Sequence, residues 1–157
     1  MPAFVWLGSP HWEPNARGTI TGITRGTSRA HLVRAALEAM AFGTRDLLDA
    51  MVRGSGLAVP FLRVDGGAAA NDWMMQFQAD VLGIPVERLD VVETTALGAG
   101  ALAGMALGLW KSPAQLIGQR PRHRFSPARD SAWRETNMAT WRRAVAAALA
   151  WARHRET

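Results

Sequence analysis

The residues best placed to do chemistry lie in the stretch VDGGAAAN, Val64 to Asn71, where an apolar, strand-like segment passes through two glycines directly into a helical pattern. An asparagine follows the second glycine by four positions. Glycine has no Cβ, so Gly66 and Gly67 allow either a tight turn or the close approach of a ligand to bare main chain. The helix that follows presents unpaired N–H groups and partial positive charge at its N-terminus, which suits a phosphate. The Asn71 amide offers both a donor and an acceptor. Asp65, just before the turn, could orient the loop. Glycine-rich strand-to-helix turns are common, however, and the residues by themselves are explained by a mechanical role as well as by a chemical one.

Other chemistries find less support. The chain has no cysteine, which excludes disulfides, thiolate metal sites and cysteine nucleophiles, and permits a reducing cytoplasm. His11, His31, His123 and His154 are scattered without metal-ligand spacing, so no metal site is proposed. Glu38 and Asp80 each fall on a long helical pattern, where a carboxylate is usually a solvated or capping charge, and His31 sits in a first helical turn where capping is the simpler role. Trp73, Met74, Met75 and Phe77 read as core. Gly98, Gly100 and Gly104 do not have the GxGxxG spacing of a dinucleotide turn and lie inside a helical pattern, so close packing is the better reading. No catalytic residue is assigned.

The elements that must position the turn follow from periodicity. The chain of 157 residues suffices for one domain with a real core, and 48% hydrophobic with 20% charged residues excludes disorder. Residues 1 to 26 read as an ordered loop carrying Trp6 and Trp12, which need covering, followed by a short strand near Thr19 to Thr24. From Thr27 or Ser28 a long amphipathic helix runs to about Gly54, with Leu32, Val33, Ala36, Leu37, Met40, Leu47, Leu48 and Met51 on the apolar face. Pro60 to Val64 predicts a buried strand, Ala70 to Leu82 a helix closed by a left-handed Gly83, and Ile84 to Arg88 a second strand. Glu93, Thr94 or Thr95 opens a third helix whose glycines at 100, 104 and 108 make a flat face for another backbone. Residues 111–127 read as a polar connector, and a last amphipathic helix starts near Asp130 and runs to the end. This alternation predicts an α/β layer structure with parallel strands. The net charge of +5 is almost wholly arginine, and its spread along the chain favours a solvated surface over a nucleic-acid interface. No segment reads as a signal peptide or a membrane span.

The stretch VDGGAAANDWMMQFQADVLGIPVER, followed by ETTALGAGALAGMALGLW, resembles the C-terminal part of the glycerol kinases of the FGGY carbohydrate kinase family. PHWEPNARGTITGITRGTSRAHLVRAALEAMAF is similar to the family's second signature region, through Gly18, Ile20, Gly22, Ile23, His31 and Glu38, and the closing RFSPARD and WRRAVAAALAWAR also resemble its C-terminal end. The resemblance implies a partial actin-like ATPase (ribonuclease H-like) half-domain over 1–157, with a nucleotide-binding core at 1–110, the connector at 111–127 and a C-terminal helix at 128–157. It implies that Gly67 and Asn71, with Gly66 beside them, contact ATP, and that ATP's γ-phosphate passes to glycerol when an N-terminal kinase lobe is joined. Magnesium and glycerol ligands and the catalytic aspartate are expected from that lobe, so the isolated chain is expected to be inactive. The expected setting is cytoplasmic, without nucleic acid or membrane, and compatible with a homo-oligomer. Trp6 and Gly100 depart from the family pattern of glycine and alanine, Gly43 replaces a polar helix former, and Asp72 replaces a second asparagine. A non-catalytic remnant or nucleotide-binding module is the alternative to a kinase lobe, and an arginine-rich nucleic-acid binder the third reading.

Overall fold

A helix buried on two sides organises the chain. The computed structural model describes residues 1, 3, 5–91, 93–117 and 120–153, with 116 and 117 by backbone alone. The elements run α1 (Arg29–Ser55), β1 (Leu62–Val64), a 3-10 turn (Gly67–Ala70), α2 (Asp72–Leu82), β2 (Val86–Leu89), α3 (Thr94–Ala106), α4 (Pro113–Ile117), β3 (Arg122–Phe125) and α5 (Ser131–Arg153). One flank of α2, Met74, Met75, Ala79 and Leu82, packs with Val86 and Phe125 of the sheet. Its other flank, Phe77 and Val81, packs with Ala39, Ala41 and Phe42 of α1 and with Met138, Trp141 and Val145 of α5. Phe42 stacks on Trp141 at 5.6 Å between ring centroids and meets Phe77 edge-on at the same distance. Such offset and edge-on pairs add to the area they bury.

The sheet has the order β1-β2-β3. β1 and β2 are parallel, with Leu62, Arg63 and Val64 opposite Val86, Glu87 and Arg88. β3 is antiparallel to β2, Phe125 facing Val86 and Arg122 facing Leu89. The expectation of parallel strands therefore holds for one pair only, and the connector of the sequence reading contains both α4 and β3. Three of the four β3 residues are basic and exposed, and only Phe125 is buried, so an edge strand here carries little hydrophobic signal.

Helix ends follow local chemistry. Ser28 and His31 form a capping box at the start of α1, and Gly56 closes it in the left-handed conformation. Gly83 closes α2 with φ 72°, while the Arg134 guanidinium fills the space beside it. Asp130 accepts a 2.8 Å bond from the Trp133 N–H to start α5.

Four further expectations are corrected. Thr19 to Thr24 forms no strand: Thr19 exchanges backbone hydrogen bonds with Met1 at 3.0 and 2.7 Å, but no ladder continues beyond it, and Ile20 is 65% and Ile23 63% exposed. Trp6 and Trp12 are exposed and lean on one another at 6.0 Å instead of being covered. The covered face of α1 is built from Ala39, Ala41 and Phe42, with Leu37 and Leu48 half-buried against the cluster that α2 forms with the sheet, whereas Leu32, Val33, Met40, Leu47 and Met51 face outward. Periodicity identifies two apolar stripes on this helix and does not say which one neighbouring elements reach. Finally, the small-residue face of α3 receives the chain's own Trp110 ring at Gly104, with the indole N–H donating to the Ala101 carbonyl at 2.7 Å, and Gly108 lies beyond the helix in a turn at φ 72°.

Candidate functional site

β1 delivers the chain to Asp65, whose carboxylate accepts a hydrogen bond from the Thr94 hydroxyl at the first residue of α3. The turn is thus tied to a second helix before it begins. Gly66 then adopts φ 83°, ψ 172°, a backbone region open essentially to glycine. A Cβ there would meet nothing within 4 Å, so the angle and not crowding demands glycine. Gly67 is different: its φ lies outside the left-handed region, it is exposed, and a Cβ would again meet nothing within 4 Å. Its own chain places no demand for glycine at that position.

Gly67 to Ala70 form a single 3-10 turn, held by Ala69 N–H to the Gly66 carbonyl at 3.0 Å and Asn71 N–H to the Ala68 carbonyl at 3.2 Å. Ala69 is buried against α2 and the sheet, which anchors the turn from below. Asn71 leaves helical geometry at φ −86°, ψ 103°, and its side-chain oxygen accepts the Met74 N–H at 3.1 Å. This satisfies one of the orphan donors of α2. It also commits the amide oxygen, leaving the exposed –NH₂ as the group available to a ligand. The candidate residues Gly66, Gly67 and Asn71 therefore lie together on one open turn.

Asp72, the departure from the family pattern, opens α2 where negative charge favours the helix dipole and pairs with Arg88 of β2 at 2.8 Å. Arg88 also donates to the Ala69 carbonyl at 2.6 Å. Sequence reasoning missed both Arg88 and Thr94. A basic residue within the short strand VERL was the available signal for Arg88, but its partners are 16 and 19 positions away and set by the β1 to β2 pairing. A cavity of about 590 Å³ lined by Ala70, Arg88, Arg122 and His123 adjoins the end of the turn, and one of about 330 Å³ is lined by Asp65 and Thr94. Gly67 and Asn71 stand on the open surface instead.

The remaining polar candidates have structural partners. Glu38 pairs with Arg34 at 2.7 Å, and His31 accepts the Ser28 N–H at 3.1 Å. Asp80 is buried rather than solvated: it accepts the Ala128 N–H at 2.7 Å and the Gln76 amide at 3.0 Å, fastening the β3 to α5 connection to α2. Trp73 is exposed beneath the Arg34 guanidinium, while Met74, Met75 and Phe77 are core as expected. Among the described residues no three His, Asp or Glu side chains come together to hold a metal ion, and no helix is long and apolar enough to cross a membrane. His154 lies outside the described residues, as does the end of the chain beyond 153.

Comparison with known proteins places this turn in a family. The C-terminal domain of the FGGY family of carbohydrate kinases matches residues 1–107, which include the whole turn. The chain belongs to the FGGY carbohydrate kinases. It is 55% identical over 152 residues to a glycerol kinase of Pseudothermotoga lettingae and 54% identical over 152 residues to one of Deinococcus radiodurans. Each match covers 96% of this chain and 30% of the relative, so the chain spans about 30% of the length of these curated FGGY kinases. Among solved structures, Plasmodium falciparum glycerol kinase with ADP is similar at a TM-score of 0.80 and 34% identity, covering 94% of this chain and 30% of that one. A xylulose kinase from Rhodospirillum rubrum is similar at 0.64 and 29%, covering 85% and 27%. The fold is accordingly a partial α/β unit of the actin-like ATPase fold of the FGGY kinases.

Proposed function

We propose that the chain is the ATP-binding C-terminal lobe of a cytoplasmic glycerol kinase, which passes the γ-phosphate of ATP to glycerol, giving glycerol 3-phosphate, when joined to an N-terminal lobe. The observation that carries this reading is the Gly66 to Asn71 turn, in which Gly67 is a glycine its own chain does not require and the Asn71 –NH₂ remains available. A solved glycerol kinase of similar fold holds ADP, which supports a nucleotide at this lobe. Backbone approach at Gly66 and Gly67, the N-terminus of α2 and one amide donor together suit the nucleotide, with Asn71 –NH₂ donating to an acceptor on it.

Phosphoryl transfer is achieved by positioning and by charge stabilisation across a closed cleft, and this lobe supplies one wall. Magnesium would neutralise phosphate charge; the turn itself carries Asp65 and Asp72, both already engaged, so the metal's ligands are assigned mainly to the other lobe. The exposed Ile20 and Ile23 support a further packing partner at that face.

The test has two arms. Titration of ADP into the full chain, followed by calorimetry, is expected to give saturable binding at one site. Fusion of the chain to the N-terminal part of the Deinococcus radiodurans glycerol kinase is expected to restore glycerol-dependent ATP turnover. Binding without turnover in the fusion would assign a nucleotide-binding module instead, and absence of both would refute the reading.

A further inference from the structure

The Gly66 to Asn71 turn has two internal backbone bonds and one buried side chain, Ala69, while Gly67, Ala68, Ala70 and Asn71 are exposed, yet a ligand-receiving turn must be held in one shape to bind without a large ordering cost. Arg88 is the side chain that spans it. Its Cα is opposite Val64, the last residue of β1, and opposite His123 of β3, which puts it in the central strand one ladder step from the turn. The side chain is 14% exposed and its guanidinium carbon lies over the Phe125 ring, 5.4 Å from the centroid. From there Nη1 donates to the Ala69 carbonyl at 2.6 Å and Nη2 meets the Asp72 carboxylate at 2.8 Å. These two partners lie on either side of Asn71, Ala69 within the 3-10 turn and Asp72 at the first residue of α2. The pair of bonds therefore sets the direction of the chain on either side of the residue whose amide is free.

We propose that Arg88 is a positioning residue for nucleotide binding: it clamps Ala69 and Asp72 so that Gly67 and the Asn71 –NH₂ face the ligand together. The inference rests on the nucleotide reading of the turn and adds to it a residue outside the turn. The geometry requires arginine specifically. A planar fork with two separated N–H directions reaches a carbonyl and a carboxylate at once while stacked on a ring, and a single ammonium group on a flexible stem does not hold all three. It also gives Asp72 a role, since a carboxylate completes the clamp with charge where the neutral asparagine of the family pattern could complete it with a weaker bond.

Four forms of the full chain test this: wild type, Arg88→Met, Asn71→Ala and the double variant. Amide hydrogen exchange without nucleotide is expected to rise about tenfold at residues 68–74 in Arg88→Met, with protection in α1 and α5 kept; unchanged exchange in the turn overturns the clamp. The Kd for ADP is expected to rise about tenfold in Arg88→Met. In the double variant it should be no weaker than in the poorer single variant, because both act through one turn. Full additivity, or a Kd within about twofold of wild type in Arg88→Met, refutes the inference. Arg88→Lys should recover only part of the loss. If Arg88→Met does not fold, Asp72→Asn, which removes only the charged contact, is expected to show a smaller change of the same sign, and no change would count against the clamp. Wild-type chain that binds no ADP would sink the nucleotide reading, and the exchange comparison would still decide whether Arg88 holds the turn.

Discussion

Substituting alanine separately at the two turn glycines separates structure from function. At Gly66, φ 83° and ψ 172° put any Cβ in a strained backbone region, so Gly66→Ala should lower stability by about 1–3 kcal/mol. For a domain of this size each kcal/mol corresponds to roughly 2–4 °C in melting temperature. At Gly67 no strain is present, and nothing lies within 4 Å of the added methyl. Fewer unfolded conformations should then make Gly67→Ala neutral or stabilising by up to about 1 kcal/mol. The same methyl projects where the nucleotide is proposed to rest. Overpacking of about 1–3 kcal/mol would weaken ADP by roughly five- to 150-fold. Thermal unfolding and calorimetric titration of the two variants check both numbers. The decisive outcome is a stable Gly67→Ala that has lost ADP. If Gly67→Ala binds ADP as well as wild type does, the open space above Gly67 is not the ligand's, and the reasoning from bare main chain fails.

Asn71→Asp keeps an acceptor for the Met74 N–H and loses the –NH₂, so it should hold its melting temperature while weakening ADP about tenfold; Asn71→Ala should lose about 1 kcal/mol of stability as well. Asp80→Ala strands the Ala128 N–H and should cost about 1–3 kcal/mol, read as a lower midpoint in urea. Gly100→Ala, open to solvent within α3, should stabilise by up to about 1 kcal/mol, whereas Gly104→Ala drives a methyl into the Trp110 indole and should destabilise by about 1–3 kcal/mol. Trp141→Phe removes the 2.6 Å bond from the indole N–H to Asp46 and should lower the melting temperature by roughly 3–6 °C, measured by calorimetry, at a cost of about 1.5 kcal/mol.

Local chemistry was legible in the sequence and long-range pairing was not. Ser28 and Gly83 act within a few residues of the helix ends they close, so their roles follow from type and position, whereas the helix expected from Ala70 starts at Asp72, with Asn71 as a cap that the sequence reading did not name. The turn was found for the same reason: Gly66, Gly67 and Asn71 are neighbours in the chain. β3 was missed because RHRF buries one residue in four and becomes a strand only through its pairing with β2. The opposite error occurred at Thr19 to Thr24, where the residue types suit a strand but the pairing with Met1 stops at Thr19 and no ladder extends from it. The face of α1 that packs was misassigned because burial depends on what arrives, and small Ala39 and Ala41 let a neighbour approach where bulkier Val33 and Met40 do not.

The burial of α2 on both flanks bears on how the turn works. A helix held between α1, α5 and the sheet cannot shift to accommodate a ligand, so its N-terminal N–H groups and the Asn71 cap are fixed relative to β1. Thr94 pins the chain before the glycines and Arg88 pins it after them, while the Gly66 carbonyl accepts the Ala69 N–H, so Gly66 and Gly67 lie between two fixed points. Holding the surroundings still lowers the ordering cost of binding, and leaving the contact itself bare lets a ligand come to hydrogen-bonding distance of main chain. Under this arrangement a mutation at Arg88 should loosen the turn without dismantling the packing of α2 on α1 and α5, because the cluster that buries Val81 and Met138 contains neither Ala69 nor Phe125, the core residues that Arg88 touches.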